Sequence, residues 1–340
     1  MGTTTTITPN PGLYATVFFE CNPDAATLQS YEQAASDIAG SGFTFVNLWF
    51  SGNGMHVDVA GNFRPTPAGN PAFVSGGALT SGYAYVPQLL STLTGSGSSV
   101  KALRMTFGGW LCDNTFNCIV DLFNRCGTGP QNPLYANFMV LQELGVTGID
   151  LDLEPGGNTP YFDYPYYIGP FSQLITMVAG LGLDVTFCPY QNENFWLTLL
   201  AAVFTQNGGA QPVKQMNLQC YSGGSSNTQA QWVAAVNEYY KLKMGLNALN
   251  SEVELGISDP ASFIVPGFGG ANDGVPVCPP GIQQQLTAAG FAVAGVSGAY
   301  IFDYANVQTA QQNGDCAPDN TTSDYANALI AGINAVNGAS

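Results

Sequence analysis

The sequence predicts an α/β fold in which eight parallel strands close into a barrel, and three observations favour it. Strand-like and helix-like patterns alternate along the 340 residues, as they do when helices cross between parallel strands. The pattern repeats eight times, the number of β/α units that closes such a barrel. No Gly-x-Gly-x-x-Gly run follows the first strand, which disfavours an open, doubly wound sheet. We therefore predict a single-domain TIM (β/α)8 barrel spanning residues 1–340.

The predicted elements alternate from the first strand to the last helix. In chain order the strands are residues 13–19, 43–50, 100–107, 147–154, 183–188, 215–221, 253–258 and 298–304. The helices are residues 28–39, 83–93, 135–144, 171–179, 194–204, 229–246, 281–292 and 323–336. No change of composition marks a linker. The longer segments near 51–82 and 155–169 follow strands two and four, so we interpret them as insertions at the rim of the barrel.

The fourth strand carries the most informative motif, Thr-Gly-Ile-Asp-Leu-Asp-Leu-Glu at residues 147–154. Side chains alternate across a strand, so Asp150, Asp152 and Glu154 share one face and three apolar residues share the other. A solvated, half-exposed strand is the alternative. The helical spacing upstream, which ends at Gly145, instead predicts a parallel strand buried on both faces. Stability alone rarely selects three buried like charges, so the motif indicates a functional site.

The position of each carboxylate along the strand predicts how deep it lies in the barrel. Active sites of such barrels lie at the carboxyl ends of the strands, so Glu154 lies at the mouth with Asp152 and Asp150 progressively deeper. Repulsion from Asp152 is expected to raise the pKa of Glu154 towards the value that a general acid needs, with the three groups titrating as a coupled set. A calcium or magnesium site is the rival interpretation, but a flat strand face rarely wraps an ion.

Composition excludes several other kinds of chemistry. The chain has 7 Lys+Arg against 23 Asp+Glu, a formal net charge of -16, and one histidine. Such a surface disfavours nucleic acid and anionic membranes as partners. There is no phosphate-binding Gly-x-x-x-x-Gly-Lys run, and one histidine rules out His-rich zinc sites. A Ser-His-Asp triad would need His56, which lies in a loop-like stretch. We expect no metal and no cofactor, and acid–base work by carboxylates and tyrosines.

The eight cysteines and the scarcity of charged residues, 9% of the chain, are typical of a secreted protein. Cys112, Cys118 and Cys126 cluster in a segment that resembles a loop, where a local disulfide is expected, although spacing cannot define the pairing. Reduced, buried cysteines are the alternative. The printed sequence shows neither a signal peptide nor a membrane span, so a trimmed secreted protein and a leaderless cytoplasmic one both fit. We expect a monomer.

Several other strands end in side chains suited to a sugar ligand. The third ends in Gly-Gly-Trp, where glycines allow close approach of a ligand and Trp110 offers a flat face. The sixth ends in Gln219, Cys220 and Tyr221, and the eighth contains Tyr300 and Phe302. Aromatic residues at strand ends more often pack in the hydrophobic core than form a stacking surface for a ligand. Their convergence at one barrel rim favours the functional interpretation.

These motifs resemble those of the family 18 glycoside hydrolases, the chitinase and endo-β-N-acetylglucosaminidase group. GIDLDLE is similar to the family's Asp-x-x-Asp-x-Asp-x-Glu signature, and FVNLWF, MTFGG and LQCY resemble its second, third and sixth strands. The order and spacing resemble single-domain, hevamine-type chitinases of plants over roughly residues 12–306. Only the fourth-strand motif is individually specific.

The resemblance implies a role for each site residue. Glu154 would be the general acid and then base, and Asp152 would orient the substrate's 2-acetamido group, whose oxygen attacks the anomeric carbon. Tyr221 would hydrogen-bond that group, and Asp150 would tune the charge of Asp152. Five further residues are expected to bind the substrate: Phe50, Trp110, Gln219, Tyr300 and Phe302.

Two residues depart from the family pattern. Thr147 replaces the first aspartate of the signature, so the proton sharing beneath Asp150 and Asp152 is expected to differ. Phe302 stands where the family usually has a tryptophan that floors the sugar subsite. The expected function is a retaining hydrolase of β-1,4-linked N-acetylglucosamine, in chitin, chitooligosaccharides or the N-glycan core. The alternative is a chitinase-like lectin with little activity. The presence of Glu154 favours the hydrolase, because binding-only relatives commonly lose this residue.

Overall fold

The computed structural model describes residues 14–20, 28–50, 54–65, 71–110, 113–154, 164–244, 255–269, 278–317 and 320–338. Its strands are β1 (Tyr14–Glu20), β2 (Phe45–Trp49), β3 (Met55–Val57), β4 (Phe63–Pro65), β5 (Val74–Ser75), β6 (Ala78–Leu79), β7 (Ala102–Trp110), β8 (Gly148–Glu154), β9 (Asp184–Phe187), β10 (Val213–Gln219), β11 (Ile264–Gly269) and β12 (Gly298–Phe302). Its helices are α1 (Leu28–Ala39), α2 (Val86–Thr94), α3 (Asp113–Cys126), α4 (Pro133–Glu143), α5 (Tyr164–Gly180), α6 (Glu193–Gln206), α7 (Gln229–Met244), α8 (Pro260–Phe263), α9 (Pro279–Thr287), α10 (Tyr304–Asn313) and α11 (Thr322–Val336).

Eight of the strands form a closed parallel barrel. Going round the barrel, neighbouring strands pair in the order β2, β1, β12, β11, β10, β9, β8, β7. A further pairing between β7 and β2 closes the ring. The predicted TIM-type α/β fold is therefore confirmed. The barrel exists because each central strand has a second apolar face: Ile149, Leu151 and Leu153 of β8 are buried in the layer shared with the helices. Burying such side chains contributes about 1.5–3 kcal/mol each.

The barrel interior is lined in part by a second, smaller cluster. It contains Phe18, Trp49, Cys188, Tyr221, Val265 and Tyr300, with Phe45 and Phe302 packed against it. Polar side chains occupy much of the remaining interior, and the register of the strands stacks them in layers. This interior differs from an ordinary apolar barrel core, and it positions the site described below.

The seventh barrel strand lies later in the chain than predicted. The seventh strand was predicted at residues 253–258. Residues 255–258, the part of that range that the structure describes, are not in a strand, and β11 is the seventh strand of the barrel instead. The sequence of β11, Ile-Val-Pro-Gly-Phe-Gly, contains Pro266 and two glycines, which ordinarily mark a break rather than a central strand. Tertiary packing overrides that local preference, because Pro266 pairs with Leu218 within the parallel ladder.

The segment around the clustered cysteines is also different from the prediction. Residues 113–126 form helix α3, not a loop, and Cys118 and Cys126 on it are free thiols. Cys112 lies outside the described residues. The disulfide seen in the described part of the chain joins Cys278 to Cys316, ahead of α9 and after α10. The expected disulfide bonding is present, but in another region.

The insertion after β2 is a small antiparallel extension of the sheet. β3 joins the barrel by pairing Met55 with Phe107 of β7, and β4, β5 and β6 follow it in hairpin order. Phe63 packs against the ring of Phe107 at 4.9 Å, and Arg64 pairs with Asp58 at 2.6 Å. Most of the second predicted insertion, residues 155–163, lies outside the described residues. No helix in the described part of the chain is long and apolar enough to cross a bilayer.

Candidate active site

Three carboxylates form a column on the inner face of β8. Asp150 is fully buried, Asp152 is 2% exposed, and Glu154 at the end of the strand is partly exposed. In the register with β7 they lie beside Thr106, Gly108 and Trp110, in that order from the interior to the mouth. The depth that alternation predicted is therefore observed.

Asp150 is held by neutral donors from the next two strands. The hydroxyl of Thr186 on β9 donates to Oδ1 of Asp150, and Nδ2 of Asn217 on β10 donates to the same oxygen at 2.8 Å. Burial raises the pKa of Asp150, and these two hydrogen bonds and the charge of Arg104 oppose that rise. The deepest carboxyl group is thus fixed in position by side chains that carry no charge of their own.

A single amide group spans the upper two carboxylates. Nε2 of Gln219 donates to Oδ1 of Asp152 at 3.1 Å and to Oε1 of Glu154 at 2.6 Å. Burial, and then the charge of Glu154 and a hydrogen bond with it, raise the pKa of Asp152 well above its usual value. The raised pKa favours the protonated form of the buried Asp152. This rise lies at an enclosed carboxyl group, one step below the mouth of the barrel.

Aromatic rings surround the column from the opposite side of the barrel. The ring of Tyr221 stacks on Phe302 with centroids 5.3 Å apart and an interplanar angle of 6°, and its hydroxyl lies 3.4 Å from that of Tyr300. Trp49 meets the edge of Phe302 at 5.3 Å. Burial raises the pKa of Tyr221 well above its usual value, so its phenol keeps its proton and remains a donor.

Two glycines of β11 make room for these rings. A Cβ on Gly267 would lie 2.0 Å from Cζ of Tyr300, and one on Gly269 would lie 2.5 Å from Cβ and Cγ of Tyr221. No side chain larger than hydrogen fits between the strand and the rings. The glycines that obscured β11 in the sequence are therefore required by the site.

The arrangement offers a partly exposed carboxyl group at the mouth, a buried carboxyl group with a raised pKa beneath it, and a phenol donor across the barrel. Such a set can protonate a leaving group and hold a polar substituent beside the reacting atom. Among the described residues, no cluster of three or more His, Cys, Asp or Glu side chains is suited to hold a metal ion.

The chain matches no protein-family model and no curated protein, but solved structures resemble it along almost its whole length. A family GH18 chitinase catalytic domain from the fern Peteris ryukyuensis matches with a TM-score of 0.52 and 14% identity, covering 94% of this chain and 99% of the fern domain. The Group IV chitinase of Ostrinia furnacalis matches with a TM-score of 0.53 and 10% identity, covering 94% of this chain and 99% of that one. The fold is that of the family 18 chitinases.

A third chitinase-like structure is active domain 2 of a thermostable chitinase from Pyrococcus furiosus. It matches with a TM-score of 0.53 and 12% identity over 98% of both chains, and that protein was solved as catalytic site mutants complexed with chito-oligosaccharides. At these identities the likeness shows a shared chitinase fold. The chemistry of this chain has to be argued from its own residues.

Within this chitinase-like fold, the predicted site residues divide into two groups. The barrel brings together Asp150, Asp152, Glu154, Gln219, Tyr221, Tyr300 and Phe302. Trp110 lies at the mouth beside Glu154 in the register and is 55% exposed. Tyr300 is fully buried, and its hydroxyl donates to the carbonyl of Asn217 at 3.2 Å, so it supports Tyr221 from below.

Phe50 lies apart from the other predicted substrate-binding residues. It is 1% exposed and packs against Phe73 at 5.2 Å in the layer between barrel and helices. Trp49, one residue earlier, faces the barrel interior instead. The signal that identifies it was present in the sequence: Asn47 is polar within an apolar strand, so the face of β2 that carries Asn47 and Trp49 is the inner one.

Thr147 does not lie beneath the carboxylate column. It is exposed at the start of β8, where its hydroxyl donates to the carbonyl of Leu103 at 2.9 Å and accepts from the Leu103 amide at 3.1 Å. Thr147 is three positions before Asp150, an odd offset, so the two side chains belong to opposite faces. Its expected part in the proton sharing is not supported by this position.

Other site residues were not predicted from the sequence. Thr186 and Asn217 hold Asp150, and the Cys188 thiol lies 3.7 Å from Nε2 of Gln219 and 3.8 Å from the hydroxyl of Tyr300. Thr186 on β9 and Cys188 just after it are two positions apart, as Asn217 and Gln219 are on β10. Polar residues at period two in buried strands were the available signal.

Proposed function

We propose that the chain is a retaining glycoside hydrolase that cleaves β-1,4-linked N-acetylglucosamine with help from the substrate's own acetamido group. The observation that carries the proposal is the Gln219 bridge: one amide binds both the partly exposed Glu154 and the buried Asp152, whose pKa is raised. The bridge and the raised pKa support a proton shared by the two carboxyl groups near the open end of the column. The shared fold with solved chitinases supports the same reaction class.

In the proposed first step, the proton shared by Asp152 and Glu154 passes through Glu154 to the glycosidic oxygen, which leaves Asp152 anionic, while the acetamido oxygen attacks the anomeric carbon. The bond to the leaving sugar breaks and a cyclic oxazolinium ion forms. Asp152 balances the positive charge on that ion, and the Tyr221 hydroxyl holds the acetamido oxygen in near-attack geometry. In the second step, Glu154 removes a proton from water, which opens the ring from the face that the leaving group left. The β configuration is retained.

Aromatic side chains supply binding surface in this proposal. The exposed indole of Trp110 stands at the mouth next to Glu154, and the Tyr221–Phe302 stack and Trp49 form the inner wall. Flat rings of this kind pack against the apolar faces of sugars. We also propose that the protein works outside the cell, which the Cys278–Cys316 disulfide supports.

The test compares chitooligosaccharides with a high-mannose glycoprotein, using the full chain and its Glu154→Gln variant. The wild-type protein should release shorter N-acetylglucosamine products from at least one of the two substrates. Glu154→Gln keeps the shape of the side chain but has no acidic proton, so turnover should fall by about two to four orders of magnitude. The far-ultraviolet circular dichroism spectrum should be unchanged. Tight binding of oligosaccharide without cleavage by the wild-type protein would instead identify a lectin.

Substrate assistance has its own test. Glucose oligomers, which lack the acetamido group, should not be cleaved, and a stable thiazoline mimic of the cyclised intermediate should bind far more tightly than the free sugar. Tyr221→Phe should weaken the mimic and slow turnover together. Proton NMR should show the β anomer in the first-formed product. The α anomer, or equal cleavage of glucose oligomers, would refute the mechanism.

A further inference from the structure

Asn227 lies between the ends of two barrel strands and uses its whole side-chain amide there. Its Nδ2 donates to the carbonyl of Tyr190 at 2.7 Å and to the carbonyl of Gln219 at 2.9 Å. Its Oδ1 accepts from the indole Nε1 of Trp232 at 3.3 Å. An asparagine amide has two hydrogens to donate, so both are used on backbone carbonyls. Because Asn227 is only 8% exposed, little water reaches these hydrogen bonds.

The three partners of Asn227 belong to different elements of the fold. Tyr190 follows β9, Gln219 is the last residue of β10, and Trp232 is fully buried on α7. Asn227 itself lies in the segment between β10 and α7. One side chain therefore ties the carboxyl ends of two neighbouring strands to the helix that follows them.

The backbone between β10 and Asn227 is folded so that this amide comes close to the strand. The N–H of Asn227 donates to the carbonyl of Gly224 at 2.8 Å, and the N–H of Gly224 donates to the carbonyl of Tyr221 at 2.8 Å. A Cβ on Gly224 would collide with the carbonyl oxygen of Gln219 and would lie 2.8 Å from Nδ2 of Asn227. Glycine at this position therefore leaves the room that the hydrogen bond between Asn227 and Gln219 needs.

Gln219 is held on both sides of its main chain. Its N–H donates to the carbonyl of Pro189 at 2.8 Å, and its carbonyl accepts from Asn227. Its side chain is the amide that binds Asp152 at 3.1 Å and Glu154 at 2.6 Å. Hydrogen bonds of this type span about 2.7–3.2 Å, so the bond to Asp152 is already near the upper limit. The bridge therefore tolerates little movement of the Gln219 main chain.

We infer that Asn227 is the positioning residue of the Gln219 bridge. It makes its side-chain hydrogen bonds outside the carboxylate column and acts through the main chain of Gln219, which it holds to the end of β9 and to α7. Functional groups need supporting residues of this kind to stay within about 0.5 Å of their working positions. The catalytic consequence rests on the proposed function: without Asn227, turnover should fall with little change in KM. The geometric part does not depend on any activity.

The experiment compares Asn227→Ala with Asn137→Ala in the full chain. Asn137 is the matched control, because it is also a buried asparagine that ties separate segments together. Its Nδ2 donates to the carbonyl of Gly61 at 2.7 Å, and its Oδ1 accepts from the N–H of Gly77 at 2.8 Å. It lies on α4, packed against the insertion after β2 and not at the carboxyl end of β10. Both variants should lower the melting temperature, so a general loss of stability is common to the two.

The readout is the side-chain amide of Gln219, followed by proton–nitrogen NMR and assigned with Gln219→Met. In Asn227→Ala the two amide hydrogens should move towards the shifts of a solvated glutamine, because their bonds to the carboxyl groups lengthen. In Asn137→Ala they should stay at the wild-type position. An unchanged Gln219 signal in Asn227→Ala, or an equal change in Asn137→Ala, overturns the inference. If Asn227→Ala does not fold, Asn227→Asp takes its place with the same expected result, since it keeps the volume and the acceptor for Trp232 but can donate at most one hydrogen bond.

With active protein, Asn227→Ala should lose about 10- to 100-fold in kcat, as expected for a displacement of up to about 1 Å in the site, and Asn137→Ala should stay near wild type. The double variant Asn227→Ala with Gln219→Met should be about as slow as Gln219→Met alone, because both changes act on the same contact; effects that multiply would refute the route through Gln219. A moved Gln219 signal in a chain without hydrolase activity would leave the positioning role standing and remove the proposed function. An unmoved signal in an active chain would do the reverse.

Discussion

Gly269 is the position where the smallest change should have the largest effect on the site. A methyl group there would lie 2.5 Å from Cβ and Cγ of Tyr221, whereas ordinary carbon contacts are about 3.5–4.0 Å. Gly269 ends β11, and Tyr221 lies just after the neighbouring strand β10, so the clash involves the root of the side chain and no rotamer relieves it. Gly269→Ala should displace the Tyr221 ring by about 1 Å, and displacement on that scale can cost about 100-fold in turnover.

Gly281→Ala is the matched control, because a Cβ at that helical position meets no atom within 4 Å. The assay is steady-state hydrolysis of N-acetylglucosamine oligomers together with binding of the thiazoline mimic. Gly269→Ala should lose turnover and affinity for the mimic, and overpacking should lower its free energy of unfolding by about 1–3 kcal/mol. Gly281→Ala should match wild type in turnover and in affinity for the mimic, and its free energy of unfolding should be unchanged or up to about 1 kcal/mol higher. A folded Gly269→Ala variant with turnover within twofold of wild type would show that Tyr221 does not need its present position.

Three other predictions test charges and cross-links. Thr147→Asp adds an exposed charge outside the column, so the pH profile of kcat/KM should not move by more than about 0.2 pH unit; a larger shift would return this position to the charge network. The pKa of Asp152 is raised in the folded protein, so the stability that its proton provides is complete below about pH 4 and is lost as pH rises through the folded value. Asp152→Asn should therefore melt at a higher temperature than wild type at pH 8 and at a similar one at pH 4, as measured by calorimetry. Replacing both Cys278 and Cys316, which are 38 residues apart, by serine should cost about 4 kcal/mol in loop entropy, and reduction of the wild-type protein should give the same loss in denaturant titrations.

The barrel and its acidic strand could be predicted because each is encoded locally. Alternation within β8 fixes which side chains face inward, and the repeat of strand and helix fixes the number of units. The position of β11 could not be predicted this way. Its glycines accommodate Tyr300 and Tyr221, which come from strands distant in sequence, and no local pattern records that requirement.

The sequence could not show which aromatic residue at the end of β2 faces the barrel interior. Phe45, Asn47 and Trp49 follow one another at period two, so the inward face was encoded, but the aromatic Phe50 at the end of the strand is equally attractive as a ligand platform. Only packing separates them: Phe50 meets Phe73, and Trp49 meets Phe302. The Cys278–Cys316 disulfide is a similar case, because its partners come close only once the fold is complete.

The amide of Gln219 has more acceptors within reach than it has hydrogens to give. Its two N–H groups face Asp152, Glu154, the Cys188 carbonyl at 3.4 Å and the Cys188 sulfur at 3.7 Å. When Glu154 turns towards a ligand at the mouth, the Gln219 hydrogen that it leaves can pass to the Cys188 carbonyl, so this amide donor keeps a partner. The second acceptor therefore lowers the free-energy cost of an outward movement of Glu154.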